Sequence, residues 1–244
     1  MKNNEVNYNN NSNNSNKPIL IALGGPSSSG KTTVGKSLHS LISNSELYHL
    51  DDFYISDSLI PIDKKTGLQN WDCAEAIDFE KFKQFLIDLK NDKPVVLKSI
   101  QPETRVKLTD NEESILKKEI EKANIKRRII FIDGFMLFHD PELIKLFDIK
   151  LFYHCFFETL KSRRESRNGY NTSEGFWVDP PNYFEKIVWP AYTKSHSYLF
   201  NNHDVNSKLK PEIKEKYNLH DISNDSISLF ELVNWSLNII LDNL

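Results

Sequence analysis

An apolar run that ends in a glycine and lysine motif restricts the fold of this chain more than any other feature. Residues 19–25 read ILIALGG, and residues 25–32 read GPSSSGKT, which satisfies the pattern G-x-x-x-x-G-K-[ST] in full. The apolar run predicts a strand buried on both faces, as in a parallel sheet. Apolar residues at helical spacing in 31–44 predict a helix directly after the motif. This strand, loop and helix order predicts a phosphate-binding loop, called the P-loop below (residues 25–32).

The residue types of the P-loop suit a nucleotide. Its glycines allow backbone N–H groups to converge on phosphate oxygens, and the start of the following helix adds positive potential. Lys31 supplies a point charge for the terminal phosphates, and the hydroxyl of Thr32 suits Mg²⁺. A glycine and serine turn that contains lysine by chance is the alternative, which the strand and helix around the motif disfavour. The loop alone does not distinguish a kinase from another nucleotide-hydrolysing or switch protein.

A second apolar strand is predicted in residues 127–138, RRIIFIDGFMLF, and it reaches Asp133 and Gly134. An acid at the end of such a strand commonly helps to hold Mg²⁺ beside a P-loop. The alternative is an aspartate that only supports a turn before glycine. The P-loop favours the metal role for Asp133.

The order of strands and helices predicts an α/β fold with a mainly parallel sheet. We expect one domain over residues 18–244, with a lid at about 160–175, a variable insertion at about 103–126 and no clear strand in 201–225. Further strands are predicted at 47–50, 94–100 and 148–155. Helices are predicted at 78–92, stopped by Pro94; at 109–124, exposed with little contribution to the core; at 157–168, basic; at 182–200, kinked at Pro190; and at 226–242.

The composition indicates a soluble globular protein. The 244 residues have a net charge of −3 and 39% are hydrophobic, without the basic surplus of nucleic-acid binders. Two distant cysteines, Cys73 and Cys155, predict neither a disulfide framework nor a zinc site and favour a cytoplasmic location. No apolar run reaches the ~18 residues of a membrane span. Residues 1–17, rich in asparagine and serine, predict a disordered tail that is not a targeting signal.

Three further segments supply what a transfer reaction needs. In LYHLDDFY, residues 47–54, an extended backbone would send Asp51 and Asp52 to opposite faces, so that they cannot share one role. Trp71 and Asp72, within 68–79, suit a flat heterocycle and a ribose hydroxyl, although a core residue and a helix cap are the simpler interpretation.

The basic segment 160–171 contains three arginines. Arg163 and Arg167, four residues apart, would share one helical face and meet ATP, while Arg164 would point elsewhere, towards the acceptor. The alternative is a solvated basic face. Gly169 suggests a mobile lid.

Six segments together carry a more specific signal: GGPSSSGKTT, LDDFY, LQNWDCAEAIDF, IDGFMLF, RRESRNGYN and FWVDPPNYF. In this order and spacing, from about residue 18 to 200, they resemble the nicotinamide riboside kinases, in particular the fungal-type members. Related uridine and pantothenate kinases share the P-loop but not the full set. The resemblance implies a three-layer α/β/α domain of the P-loop nucleoside and nucleotide kinase type with a helical lid. It also implies ATP- and Mg²⁺-dependent phosphorylation of the ribose 5′-hydroxyl of nicotinamide riboside, and of nicotinic acid riboside, in NAD salvage.

The resemblance also implies residue roles, which we state as expectations. Asp51 matches the proton acceptor and, with Thr32 and Asp133, the metal site, and Lys31 joins Asp51 in catalysis. The expected ATP contacts are Gly25, Ser27, Ser28, Ser29, Gly30, Lys31, Thr32, Thr33, Arg163 and Arg167. The expected substrate contacts are Asp51, Asp52, Phe53, Tyr54, Trp71, Asp72, Arg164, Tyr170 and Asn171. Gly169 lengthens the lid by one residue relative to some members, and adenine-side contacts in 201–225 have no match.

For the mechanism we expect in-line attack with late proton transfer to Asp51, for which an ordinary aspartate pKa near ~4 suffices. A uridine or cytidine kinase is the alternative enzyme, because a pyrimidine also suits Trp71. A nucleotide-binding regulator without transfer activity is the alternative from another class. The preference between the two ribosides and between ATP and GTP stays open. The expected partner is a small nucleoside, with neither nucleic acid nor membrane, for a monomeric protein.

Overall fold

A computed structural model describes residues 17–97, 106–172 and 174–244. The strands are β1 (Ile19–Gly24), β2 (Ser45–His49), β3 (Ile129–Gly134), β4 (Ile149–His154), β5 (Tyr170–Asn171), β6 (Phe176–Trp177) and β7 (Leu219–Ser223). The helices are α1 (Lys31–Leu41), α2 (Phe79–Lys90), α3 (Asp110–Ala123), α4 (Pro141–Ile144), α5 (Phe157–Glu165), α6 (Trp189–His196), α7 (Pro211–Tyr217) and α8 (Leu229–Asp242).

Five strands form one parallel sheet in the order β2-β3-β1-β4-β7, and β5 and β6 form a separate antiparallel hairpin. The register places Ile21 of β1 opposite Phe131 of β3 and Ile149 of β4. Because all five strands are parallel, their carboxyl ends meet at one edge, where open α/β sheets bind ligands. The predicted mainly parallel sheet is confirmed.

Side chains of β1 alternate between the two faces of the sheet. Leu20 and Ala22 join a core with residues of α2 and α6, whereas Ile21 and Leu23 join a second core with residues of α1, α3 and α8. A strand buried on both faces must be apolar at every position, which explains the continuous run in the sequence. Helices therefore cover both faces, and the predicted three-layer α/β/α arrangement is confirmed.

The prediction that residues 201–225 lack a clear strand was wrong. Residues 219–223, LHDIS, form β7 and pair with β4 in parallel. Only Leu219 of this strand is buried, because β7 lies at the edge of the sheet. A short edge strand with polar side chains lacks the apolar signal that identified the central strands.

Two helices differ from their predicted form. The basic helix predicted at 157–168 ends at Glu165, so Arg167 lies beyond α5 and does not share a helical face with Arg163. The helix predicted at 182–200 begins with a wide π turn, Phe184–Val188, and continues as α6. Pro190 lacks the N–H that a regular α turn requires there, so the predicted irregularity at this proline is confirmed.

The predicted helix at 109–124 is present as α3, with the capping box Thr109 and Glu112. It contributes more to the core than predicted, because Leu116 is fully buried against α1 and α8. Of the strand predicted at 94–100, residues 94–97 are irregular and the rest lies outside the described residues.

The predicted tail falls almost entirely outside the described residues, as does part of the predicted insertion at 103–126. Among the residues that are described, no helix is long and apolar enough to cross a bilayer.

Candidate active site

The P-loop connects β1 to α1 by a tight turn at the carboxyl edge of the sheet. Gly25 has a φ of +139°, and a Cβ there would lie 2.0 Å from the carbonyl oxygen of Tyr153, so only glycine fits. Lys31 is buried and donates a hydrogen bond to the carbonyl of Pro26 at 2.9 Å. Burial lowers the pKa of Lys31, against the raising effect of Asp133 and Asp51. A lysine folded back over the loop carries its charge where phosphates would lie.

Thr32 and Asp133, two of the three metal candidates, meet at the carboxyl edge of the sheet. The Thr32 hydroxyl donates to Oδ2 of Asp133 at 2.5 Å, and Nδ1 of His49, the last residue of β2, donates to the same oxygen at 3.1 Å. The other oxygen, Oδ1, is buried without a hydrogen-bond partner among the described residues. Burial alone would raise the pKa of Asp133, but the His49 hydrogen bond and the Lys31 charge outweigh it and lower the pKa. Asp133 is therefore an ionised acid with one oxygen available.

Asp51 and Asp52 lie in a short 3-10 turn, Leu50–Phe53, and not on an extended strand. The strand ends at His49, so the alternation from which we argued that the two acids face apart does not apply. Asp51 is exposed, and Asp52 is half-buried. Desolvation by the surrounding protein and the nearby Asp133 carboxylate raise the pKa of Asp51 to about 6. An ordinary pKa would suffice for a late proton acceptor, and the raised pKa makes Asp51 a stronger proton acceptor near neutral pH.

The candidate acceptor pocket begins directly after this turn. Phe53 is 2% exposed and packs edge-on against Phe82. Its side chain therefore belongs to the core, although we expected it to contact the substrate. Tyr54 lies 5.4 Å from Trp71 between ring centroids, and its hydroxyl donates to the Trp71 carbonyl at 3.0 Å. Trp71 itself is 6% exposed, with the ring of Trp177 against it at 5.6 Å. Aromatic rings thus enclose Trp71, which is more deeply buried than a free stacking platform.

Asp72 is not the helix cap of the simpler interpretation, because Arg164 of α5 binds it. The Arg164 guanidinium donates to Asp72 at 3.1 and 3.3 Å, to the Ser27 hydroxyl of the P-loop at 2.9 Å, and to Asp179 at 2.6 and 3.1 Å. The two acids raise the pKa of Arg164 far above its usual value, against the effect of burial. Arg164 therefore joins the P-loop, the acceptor segment and the segment after β6, and the solvated basic face is excluded for this arginine.

The other predicted lid residues lie around Arg164 in different environments. Arg163 donates to the carbonyl of Asn224 at 2.8 Å, on the P-loop side. Arg167 is exposed, 5.3 Å from the ring centroid of Tyr170, and the Tyr170 ring also lies 4.9 Å from Arg164. Asn171 is exposed and pairs with Phe176 in the β5–β6 hairpin, called the lid hairpin below (residues 170–177).

Hydrogen bonds tie the lid hairpin to the acceptor side. Thr172 donates to Asp57 at 2.7 Å, and Ser56 donates to Glu174. Gly169 precedes the hairpin with a φ of +140°, and a Cβ there would lie 2.5 Å from the Phe176 ring. The hairpin is therefore docked against the acceptor side, and Gly169 allows its backbone to lie close to the ring of Phe176.

Four residues of this site escaped the sequence analysis: His49, Trp177, Asp179 and Asn224. Asp179 lies inside the segment FWVDPPNYF, so the motif was recognised without a role for its acid. His49 directly precedes the leucine before the acid pair, where a buried histidine beside carboxylates is a detectable signal. Asn224 follows the edge strand that the sequence did not reveal, so no signal was available for it.

Comparisons with known proteins show which family and which relatives the chain is similar to. Residues 20–168 match the model of the phosphoribulokinase/uridine kinase family. A nicotinamide riboside kinase of Schizosaccharomyces pombe is 38% identical, with 93% of this chain and 98% of the relative covered. A nicotinamide riboside kinase of Saccharomyces cerevisiae is 39% identical, with 91% and 95% covered, and one of Eremothecium gossypii is 34% identical, with 82% and 85% covered.

Proposed function

Because the chain belongs to the phosphoribulokinase/uridine kinase family, we propose that it transfers the γ-phosphoryl group of ATP to the ribose 5′-hydroxyl of nicotinamide riboside. Nicotinic acid riboside is the second acceptor, and the mononucleotide products enter NAD salvage. The fungal relatives that carry the name nicotinamide riboside kinase support the acceptor, since the similarity covers nearly the whole chain. We also propose that residues 18–244 act as one domain in a cytoplasmic monomer that binds neither nucleic acid nor membrane.

The observation that carries this proposal is the position of Arg164 between Ser27 of the P-loop and Asp72 of the acceptor segment. A phosphoryl transfer requires donor and acceptor to be held in line at a fixed separation. One rigid guanidinium that contacts both sides sets that separation. A regulator that only binds a nucleotide has no need of such a link.

On the donor side, the backbone of the P-loop binds the phosphates of ATP and Lys31 neutralises charge that spreads over the transferring group. The residues fit Mg²⁺, because Asp133 has an ionised carboxylate with one unpaired oxygen beside the Thr32 hydroxyl. Mg²⁺ prefers such a small set of oxygen ligands completed by phosphates and water. Thr32, Asp133 and Asp51 would hold the ion, which supplies charge neutralisation for the phosphates when bound.

On the acceptor side, Asp51 takes the proton of the 5′-hydroxyl as the general base. Asp72 accepts hydrogen bonds from the ribose hydroxyls with the lone pairs that Arg164 leaves. The rings of Tyr54 and Trp71 contact the pyridine ring, and displacement of the Trp177 ring opens that space. Proton transfer and positioning of the riboside thus come from different residues of the acceptor side.

An acceptor panel tests the proposal. Purified full-length protein is supplied with ATP and Mg²⁺ and, in separate reactions, with nicotinamide riboside, nicotinic acid riboside, uridine, cytidine or pantothenate. We expect the highest kcat/KM for the two pyridine ribosides. Far better use of uridine would identify a uridine kinase, and ATP binding without phosphorylation of any acceptor would identify a regulator.

A further inference from the structure

Asn224, the first residue after β7, joins the P-loop, the end of β4 and Arg163 of α5. Its backbone N–H donates to the carbonyl of His154 at the end of β4 at 2.8 Å, and its side-chain amide donates to the carbonyl of Ser29 in the P-loop at 2.9 Å. Its own carbonyl accepts hydrogen bonds from Arg163 at 2.8 Å and from the Cys155 thiol at 3.3 Å. Asn224 is 6% exposed, so these hydrogen bonds are shielded from competing water.

The P-loop passes directly over the Asn224 amide. A Cβ at Gly30 would lie 2.7 Å from Nδ2 of Asn224, and Gly30 has a φ of +94°. In a trans peptide the C=O and N–H bonds point in opposite directions. The hydrogen bond from Asn224 to the Ser29 carbonyl therefore fixes the peptide plane between Ser29 and Gly30 and turns the Gly30 N–H away from Asn224. Converging N–H groups of this kind are what a P-loop presents to phosphate.

We propose that Asn224 is a positioning residue for the nucleotide donor. Its side chain orients the P-loop peptide between Ser29 and Gly30, and its backbone carbonyl holds the guanidinium of Arg163 beside the same loop. The inference rests on the proposed use of ATP but not on the identity of the acceptor. The side-chain amide of Asn224 donates to the P-loop, whereas Arg164 holds the acceptor acid Asp72.

This one-sided contact pattern separates positioning from a purely structural role. A residue that only supports β7 would change the free energy of unfolding and affect both substrates alike. Substitution of a residue that positions the donor changes the affinity for ADP and the KM for ATP, and leaves the KM for the riboside unchanged. The split between the two KM values is therefore the informative measurement.

Asn224→Asp is the sharpest variant, because it keeps the shape and replaces the donor N–H by an acceptor oxygen that faces the Ser29 carbonyl. For the full-length protein we expect the Kd for ADP, measured by calorimetry without acceptor, to rise about tenfold, as the loss of one buried hydrogen bond predicts. The KM for ATP should rise similarly, with the KM for the riboside changed less than twofold. Asn91→Asp is the matched control, because the amide of the exposed Asn91, directly after α2, also donates to a backbone carbonyl, at 2.9 Å, far in sequence from the P-loop.

Asn224→Ser provides a second variant, with a side chain too short to span the distance to Ser29, and the same split is expected. A folded Asn224→Asp protein that binds ADP within twofold of the original protein overturns the proposal, as does an equal rise of both KM values. If neither variant folds, NMR of the original protein provides the test. We expect the side-chain amide resonance of Asn224 to shift when ADP is added and to stay in place when the riboside is added. A resonance that ADP leaves unchanged overturns the proposal. A protein that shows the ADP effect yet phosphorylates no riboside refutes the proposed function and leaves this inference intact.

Discussion

Arg164 binds Asp72 with both of its terminal nitrogens, at 3.1 and 3.3 Å, although 92 positions separate the two residues in the chain. The same guanidinium binds Asp179 and the Ser27 hydroxyl. A buried ion-pair cluster is stable only when every member is satisfied, so removal of one partner leaves an uncompensated group. The lid, the acceptor acid and the P-loop are thus coupled through one cation.

Asp179→Asn tests this coupling. The substitution keeps the volume of the side chain and an oxygen that can accept the hydrogen bond from Nε1 of Trp177, which is 2.8 Å long in the original protein. It removes the negative charge that binds Arg164. Charge-assisted hydrogen bonds contribute about 1.5–3 kcal/mol, so we expect the KM for the riboside to rise at least about tenfold, with a smaller rise in the KM for ATP. Steady-state kinetics with each substrate varied measures both. Glu165→Gln, at an exposed acid of α5, is the control, and an unchanged riboside KM in Asp179→Asn would contradict the coupling.

Asp51→Asn tests the proton acceptor. The amide cannot take the proton of the 5′-hydroxyl, and general-base catalysis contributes about 10²–10⁴-fold. We therefore expect kcat to fall by at least about 10², with the Kd for ADP changed by less than about threefold, because the P-loop keeps its own contacts. Asp52→Asn, one residue along the same turn, should reduce kcat far less. Near-normal turnover in Asp51→Asn, or the larger loss in Asp52→Asn, would reverse the assignment.

Gly169→Ala tests the docking of the lid hairpin. The new Cβ would lie 2.5 Å from the Phe176 ring and 2.6 Å from the Trp177 carbonyl, in a backbone conformation with a φ of +140° that disfavours side chains. We expect a fall in kcat/KM of about tenfold or more, with a small change in Tm, because this two-stranded hairpin lies outside the main sheet. Gly175→Ala is the matched control in the same hairpin, since its Cβ meets nothing within 4 Å. Equal activities of the two variants would show that docking at Gly169 is not required.

Local sequence signals predicted those parts of the fold that local interactions determine. β1, the P-loop and α1 were predicted correctly because a doubly buried strand must be apolar and the loop motif has a fixed geometry. The strand β7 was missed because an edge strand buries one side chain of five. For the same reason its neighbour Asn224 had no sequence signal.

In the candidate site, too, the sequence predicted the features that local interactions determine and missed those that depend on tertiary packing. Asp133 was placed correctly at the end of β3, where the carboxyl ends of parallel strands meet. The relative positions of Asp51 and Asp52 were misjudged because alternation applies only while a strand continues, and this strand ends at His49. Burial of Arg164 depends on Asp179, which is brought to it by tertiary packing, so charge spacing on a helix cannot reveal it.

His196 gives the fold a predicted sensitivity to acid. Burial lowers its pKa to about 3, whereas an unfolded histidine titrates near ~6.5. Between these values the unfolded chain binds a proton that the folded protein does not, so the free energy of unfolding falls as the pH falls below about 6.5. Between pH 7 and pH 5 this loss amounts to about 2 kcal/mol from this residue alone.

His196→Gln removes the titrating group from the buried position while keeping a similar volume. We expect the difference in free energy of unfolding between pH 7 and pH 5, measured by urea denaturation, to shrink by about 2 kcal/mol relative to the original protein. The absolute stability at pH 7 should fall, because the ring nitrogen Nδ1 of His196 loses its 2.8 Å hydrogen bond with the Ser195 hydroxyl. His203→Gln, at an exposed position, is the control and should leave the pH difference as it is. An unchanged pH difference in His196→Gln would show that the pKa of this histidine is the same in the folded and unfolded protein.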